Sequence, residues 1–259
     1  MNAEWDYWPW GEVFDHGSMT EFESCDRLAD GVHRIPLERG RPLELLVKGR
    51  PLDRDPEGRA VPLFLSGALG NRSGSKGPYF SGRQMAMRSG TGFLAFSDPL
   101  LREDPGVGLA WYTGMPGSGT RELMLRVVAH LMEIAERPVL LVGGSGGGFA
   151  SLSIAAALPN ARAFVWNPQV RILDYEPNAV RLYLRAMFGG DWTSPDWKDQ
   201  AAAELTAGGI IHDLTALPQL GQFLLLQNYS DWHVRTHTAP LIDSLGLAHR
   251  GRGYFGTRK

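Results

Sequence analysis

Pro138-Val-Leu-Leu-Val-Gly-Gly-Ser-Gly-Gly-Gly-Phe-Ala-Ser-Leu-Ser-Ile-Ala-Ala-Ala-Leu158 decides the fold. Pro138 to Val142 have the length and β-branched content of a buried parallel strand. Phe149 to Leu158 have the apolar, alanine-rich character of a buried helix. Between them, Gly143-Gly144-Ser145-Gly146-Gly147 fits the pattern G-x-S-x-G, in which a strand turns sharply into a helix. Such a turn strains its central residue, and a side chain at either flank would collide with neighbouring backbone. Ser145 is left exposed at the turn. The unpaired N–H groups and positive end of the following helix aim at the same place, which suits an oxyanion formed when a serine attacks a carbonyl.

A nucleotide-binding reading of these glycines fails on two counts. G-x-G-x-x-G started at Gly144 requires glycine at 149, where Phe149 stands, and the next strand, Ala163-Phe-Val-Trp166, ends without an acidic ribose ligand. The other glycine-rich loop, Gly114 to Gly119, has phosphate-loop spacing. Thr120 occupies the place of its lysine, so the main contact to terminal phosphates is missing.

The elbow segment resembles the α/β-hydrolase superfamily, and the order of elements around it extends the resemblance over most of the chain. Strand and helix alternate, which predicts right-handed crossovers and a mainly parallel central sheet flanked by helices. The resemblance implies an α/β-hydrolase fold in which Ser145 is the nucleophile of ester or related acyl hydrolysis. Acyl transfer to another acceptor is the same chemistry with a different second step. The rival expectation is a non-catalytic or impaired binding or accessory protein on the same scaffold. No organic cofactor and no metal is implied; the substrate is a small or acylated molecule.

The resemblance also divides the chain. Residues 1–30 form an aromatic arm carrying Trp5, Tyr7, Trp8, Trp10 and Phe14, and 31–169 with 214–259 form the core. Residues 170–213 form an inserted helical cap, with Met187, Trp192 and Trp197 either facing substrate or holding the cap's own small core. In the core, Val32–Ile35 and Leu43–Val47 read as a hairpin, Val61–Leu65 and Gly92–Phe96 as strands, and Gly108–Tyr112 as another extended piece. Leu123, Val127, Val128, Leu131 and Ile134 or Ala135 mark one face of an amphipathic helix. After Leu65 the superfamily often has His-Gly and donates a second oxyanion N–H. Here Ser66 and Gly67 stand there, which implies Ala68, or else Leu69, as the partner of Gly146. Asn167 and Gln169 follow the strand beyond the elbow and are candidate polar groups of the pocket.

Gln222–Leu226 reads as the last buried strand, and Asp231, five residues on, has the place of the acid. The histidine is the point of departure. The superfamily's base usually follows a further strand, and no histidine follows Arg252–Phe255. His237 and His233, on the same loop as Asp231, are the candidates in that order, with His249 third. Failing these, the site is impaired. A zinc reading of His233 and His237 lacks the glutamate after the first histidine, since Val234 is there.

Composition bounds the rest. A chain of 259 residues, 43% hydrophobic and 21% charged, buries a sizeable core, and a net charge of -2 gives no argument for nucleic acid or anionic membrane. No run approaches a membrane span, and the acidic, aromatic start is unlike a secretory signal. The single Cys25 excludes an internal disulfide, so the cytoplasm is the expected location. The oligomeric state is not legible.

Overall fold

A computed structural model describes residues 5–70, 72, 76–250 and 253–255; the side chains of 248–250 and 253–255 lie outside that description. The hairpin is β2 (Gly31–Ile35) and β3 (Leu43–Lys48), antiparallel, with Val32 opposite Leu46. Ahead of it the arm supplies β1 (Val13–Asp15), parallel to β2, and the short helix α1 (Met19–Glu23). Then come β4 (Val61–Leu65), α2 (Arg83–Ser89), β5 (Phe93–Ser97), α3 (Leu100–Glu103), α4 (Thr120–Ala135), β6 (Val139–Gly144) and α5 (Gly146–Ala157). They are followed by β7 (Arg162–Trp166), α6 (Pro177–Phe188), α7 (Trp197–Ala207), β8 (Gln222–Leu226) and α8 (Ala239–Ser244). The pair β9 (Ala248–Arg250) and β10 (Gly253–Phe255) forms a separate antiparallel ribbon.

The main sheet has eight strands in the order β1-β2-β3-β5-β4-β6-β7-β8, and from β5 to β8 every neighbour is parallel. β4 and β6 sit at its centre, so their apolar runs are covered on both faces. Leu63, Leu65, Val139 and Leu141 join the large core with α4 and α5. Phe64 and Val142 face a second core capped by Ala86 of α2 and by Tyr7 and Trp10 of the arm. The face expected for α4 is the buried one, with Leu123, Val127, Val128, Leu131 and Ala135 all inside.

Two expectations change. Gly108–Tyr112 is not a strand: Trp111 and Tyr112 both adopt positive φ, 53° and 58°, in a turn held where Asp98 Oδ2 accepts from the Tyr112 N–H at 2.7 Å. β8 is not buried on both faces. It is an edge strand, and Leu224 and Leu226 are 60% and 51% exposed, with no helix over them among the described residues; Trp166, opposite Leu226, shares that face.

The arm is tied down by its aromatics. Trp5 stacks edge-on to Tyr79 and lies under Arg102, while the Tyr7 hydroxyl donates to the buried Glu44, which Arg102 also holds at 3.0 Å. Between Val170 and Leu214 the chain makes an excursion through α6 and α7, whose Val180, Leu184, Ala201 and Leu205 pack into the large core. An antiparallel bridge between Arg171 and Asp213 closes the base of the excursion, flanked by the Ile172 N–H on His212 O and the Leu214 N–H on Val170 O. Among the described residues no helix is long and apolar enough to cross a membrane.

Candidate active site

Ser145 occupies the single residue between β6 and α5, with φ 53° and ψ −121°. That conformation disfavours any side chain, and the surroundings hold it in place. The Ser145 N–H donates to Trp166 O at 3.1 Å, and its carbonyl accepts from the Gln169 N–H, also at 3.1 Å. The flanking glycines are required by contact. A Cβ on Gly143 would stand 2.4 Å from the Gly147 carbonyl, and one on Gly147 2.2 Å from Leu65 O.

The loop after β4 lies against this turn. A Cβ on Gly67 would be 3.0 Å from Gly144 O and 3.5 Å from Ser145 Cβ, so Ala68 follows beside Ser145. The Leu69 N–H donates to Gly108 O at 2.8 Å, which removes Leu69 from the donor candidates and leaves Ala68 to accompany Gly146. The latter opens α5, where helix geometry provides no internal acceptor for the N–H. The Ser66 N–H donates to the Tyr112 hydroxyl at 2.6 Å, so the tight turn at Trp111-Tyr112 braces this loop from behind.

Gln169, fully buried, is the direct partner of the serine side chain. The Trp111 indole N–H can only donate, and it faces Gln169 Oε1 at 2.5 Å. This fixes the amide orientation and turns Nε2 toward Ser145 Oγ, to which it donates at 2.8 Å. Tyr175 also hydrogen-bonds the Gln169 side chain, and burial raises its pKa. The hydroxyl of Ser145 is thus an acceptor in this contact, and an amide cannot take its proton. Asn167 does not line the cleft as expected. Its Oδ1 accepts from the Asn228 N–H at 2.8 Å and its own N–H donates to Leu226 O, so it ties together the two loops at the strand ends.

Asp231 meets His233, not His237. Its Oδ1 accepts the His233 N–H at 2.9 Å and His233 Nδ1–H at 2.6 Å, and the first of these bonds leads in holding the carboxyl below its usual range. With Nδ1 protonated, His233 Nε2 carries the lone pair, buried and without a hydrogen-bond partner. The ring is stacked on Trp232 at 4.1 Å and lies 6.1 Å from Tyr175.

His237 is the reverse case. It is fully buried, and its Nδ1 accepts the Val170 N–H at 3.4 Å, which puts the proton on Nε2. Burial, with the neighbouring His233 second, lowers its pKa from 6.5 to about 4. Asp231 thus pairs with His233, while His237 is turned to the Val170 N–H. His249 is in β9, whose side chains are outside the description.

The His237 shift has a consequence for stability. Between about pH 6.5 and 4 the unfolded chain takes up a proton that the folded ring refuses, so stability is intact above that window and falls as pH drops through it. In urea melts across the window, His237→Gln should show a shallower acid limb than wild type, by up to about 3 kcal/mol.

A cleft of about 790 Å³ opens over Ser145. It is bounded by Ser66, Gly67 and Ala68, by Phe64, Phe80 and Trp166, and by Arg83, Met85 and Arg88 on α2. Met187 and Trp197 belong to the large core, and Trp192 packs against Phe188; none of the three lines this cleft. From residues 170–213, Tyr175 and Tyr183 pack edge-on to Trp111. Sequence reasoning missed Trp111 and Tyr175 as supports of Gln169, and nothing local in the sequence marks them.

No family model and no curated protein matches the chain. Solved structures do. The capsule O-acetyltransferase of Neisseria meningitidis serogroup A is similar over 85% of this chain and 83% of its own, at 17% identity and a TM-score of 0.52. A glycosylation-associated protein complex from Streptococcus agalactiae aligns with 75% of this chain at 14% identity and a TM-score of 0.52; the match spans 35% of that chain. A prolyl endopeptidase aligns with 83% of this chain and 32% of its own, at 17% identity and a TM-score of 0.53. These likenesses, with the sheet order, establish the α/β-hydrolase fold.

Proposed function

We propose that this α/β-hydrolase-fold chain is a serine-dependent acyl enzyme, hydrolysing an ester or related acyl bond or passing the acyl group to another acceptor. The observation that carries the reading is the Asp231–His233 pair. It presents an unpartnered Nε2 lone pair from the loop that follows β8, while Ser145 stands in a strained elbow at the mouth of a cleft. His233 takes the Ser145 proton as Oγ bonds to the acyl carbon, and Asp231 stabilises the imidazolium. The N–H groups of Gly146 and Ala68 receive the oxyanion. As the acyl–oxygen bond breaks, the proton on His233 passes to the leaving group. Water or a second acceptor then attacks the acyl-serine, giving its proton to His233, which passes it to Ser145 Oγ as the acyl–Oγ bond breaks. Residues 170–213 act as a cap, since Tyr175 and Tyr183 bear on the Trp111–Gln169 support of the nucleophile.

Turnover requires Ser145 Oγ to exchange its contact with Gln169 for one with His233, because no hydrogen bond joins the serine to either loop histidine. This makes the arrangement a resting one. A fluorophosphonate probe tests the reading: wild type should label to one equivalent, at Ser145, and Ser145→Ala should not label. A folded wild type that remains unlabelled over hours would leave Gln169 as a permanent partner and the chain as a binding scaffold.

A further inference from the structure

The cleft over Ser145 is lined by cations and by no anion. Overall the net charge is -2. The cleft lining contains two guanidinium groups, Arg83 and Arg88, and no carboxylate. Both arginines are exposed, and neither has an ion-pair or hydrogen-bond partner among the described residues. Arg34, Arg126, Arg102 and Arg59 are held by Asp15, Glu23, Glu44 and Asp55, whereas the exposed Arg27, Arg39 and Arg54 are, like the cleft pair, in no ion pair among the described residues; what sets Arg83 and Arg88 apart is their place beside Ser145. Around the two cations are Gln84, Ser89 and Ser81, the last with a buried hydroxyl that has no partner. Phe64, Phe80 and Trp166 line the same cleft.

A wall of this composition discriminates by charge. A planar guanidinium without a protein partner binds phosphate or carboxylate through paired N–H donors, and an aromatic wall takes the apolar part of the same molecule. About 790 Å³ is room for a ligand far larger than a simple acetate ester. We propose that the substrate is an amphiphilic acyl compound bearing a phosphate or carboxylate group, with its anion on Arg83 and Arg88 and its apolar part along Trp166 and Phe80. The proposal rests on the reading of Ser145 as an acyl nucleophile only for the word substrate; the anion site itself is a matter of binding.

The test uses two matched pairs: acetyl-phosphopantetheine against acetyl-pantetheine, and para-nitrophenyl hemisuccinate against its methyl ester. The wild type should favour the anionic member of one pair by about tenfold or more in kcat/KM, as charge-assisted contacts allow. That ratio should fall toward one in Arg83→Gln/Arg88→Gln, and also when NaCl is raised from low to high concentration. The pair with the larger ratio tells phosphate from carboxylate. Turnover of the neutral members with no anionic preference in either pair overturns the proposal and leaves the acyl-enzyme reading intact. If no ester is turned over, calorimetric titration of the wild type with acetyl-phosphopantetheine and hemisuccinate decides. Binding that needs the anion and both arginines sustains the site while the catalytic reading fails; absence of binding removes both. Both side chains are exposed, so the double variant is expected to fold as wild type does.

Discussion

His233→Ala lowers the rate of acyl turnover by about 10³- to 10⁴-fold, and Asp231→Asn by a similar factor, whereas His237→Gln leaves it within a few-fold of wild type. The asymmetry follows from where the protons sit. In the resting state His233 keeps Nε2 free because Asp231 fixes Nδ1–H, and asparagine at 231 can reverse that tautomer by donating. His237 has its lone pair turned to the Val170 N–H and a pKa pushed down to about 4, so it is a poor proton acceptor near neutral pH. Steady-state kinetics on any ester the wild type accepts, with circular dichroism to confirm folding, provides the check. Equal losses at the two histidines would refute the assignment.

The second large effect is on folding. Gly147→Ala should cost more than about 4 kcal/mol, because its methyl group would sit 2.2 Å from Leu65 O and 2.9 Å from Ser66 C, all of it backbone at the end of the central strand. Neither side can yield without separating β4 from α5 or displacing the loop that leads to Ala68. Gly70→Ala is the matched control. No atom lies within 4 Å of its added methyl, and a change within about 0.5 kcal/mol is expected. Urea denaturation of both variants distinguishes them; a Gly147→Ala protein as stable as wild type would mean that the elbow is looser than its contacts imply.

Those same contacts explain what could be read in advance. Pro138 to Val142 and the glycines after it were legible because a strand buried on both faces must be apolar throughout, and a sharp exit from it must lack side chains. Gln222–Leu226 looks equally buried in sequence, yet it is an edge strand: composition does not say whether a helix will cover a face, and among the described residues Leu224 and Leu226 have none. β1 escaped notice because three residues are too few to show alternation. In the site, Asp231 was singled out by its distance from a strand. Its pairing with His233 rather than His237 was not legible, because it depends on a two-residue ring that Asp231 closes with the backbone N–H and the Nδ1–H of His233. Gln169 was visible only as a polar residue near the pocket. Its role depends on Trp111, 58 positions earlier, held in a left-handed turn that its sequence does not announce.

The backbone of Ser145 sets stability against the chemistry proposed for it. A non-glycine residue at φ 53° and ψ −121° carries a conformational penalty on the order of 1–3 kcal/mol, and glycine would relieve it. Ser145→Gly is thus a substitution by which the fold gains while the hydroxyl is lost, so a protein with no use for that hydroxyl would be the sturdier for giving it up.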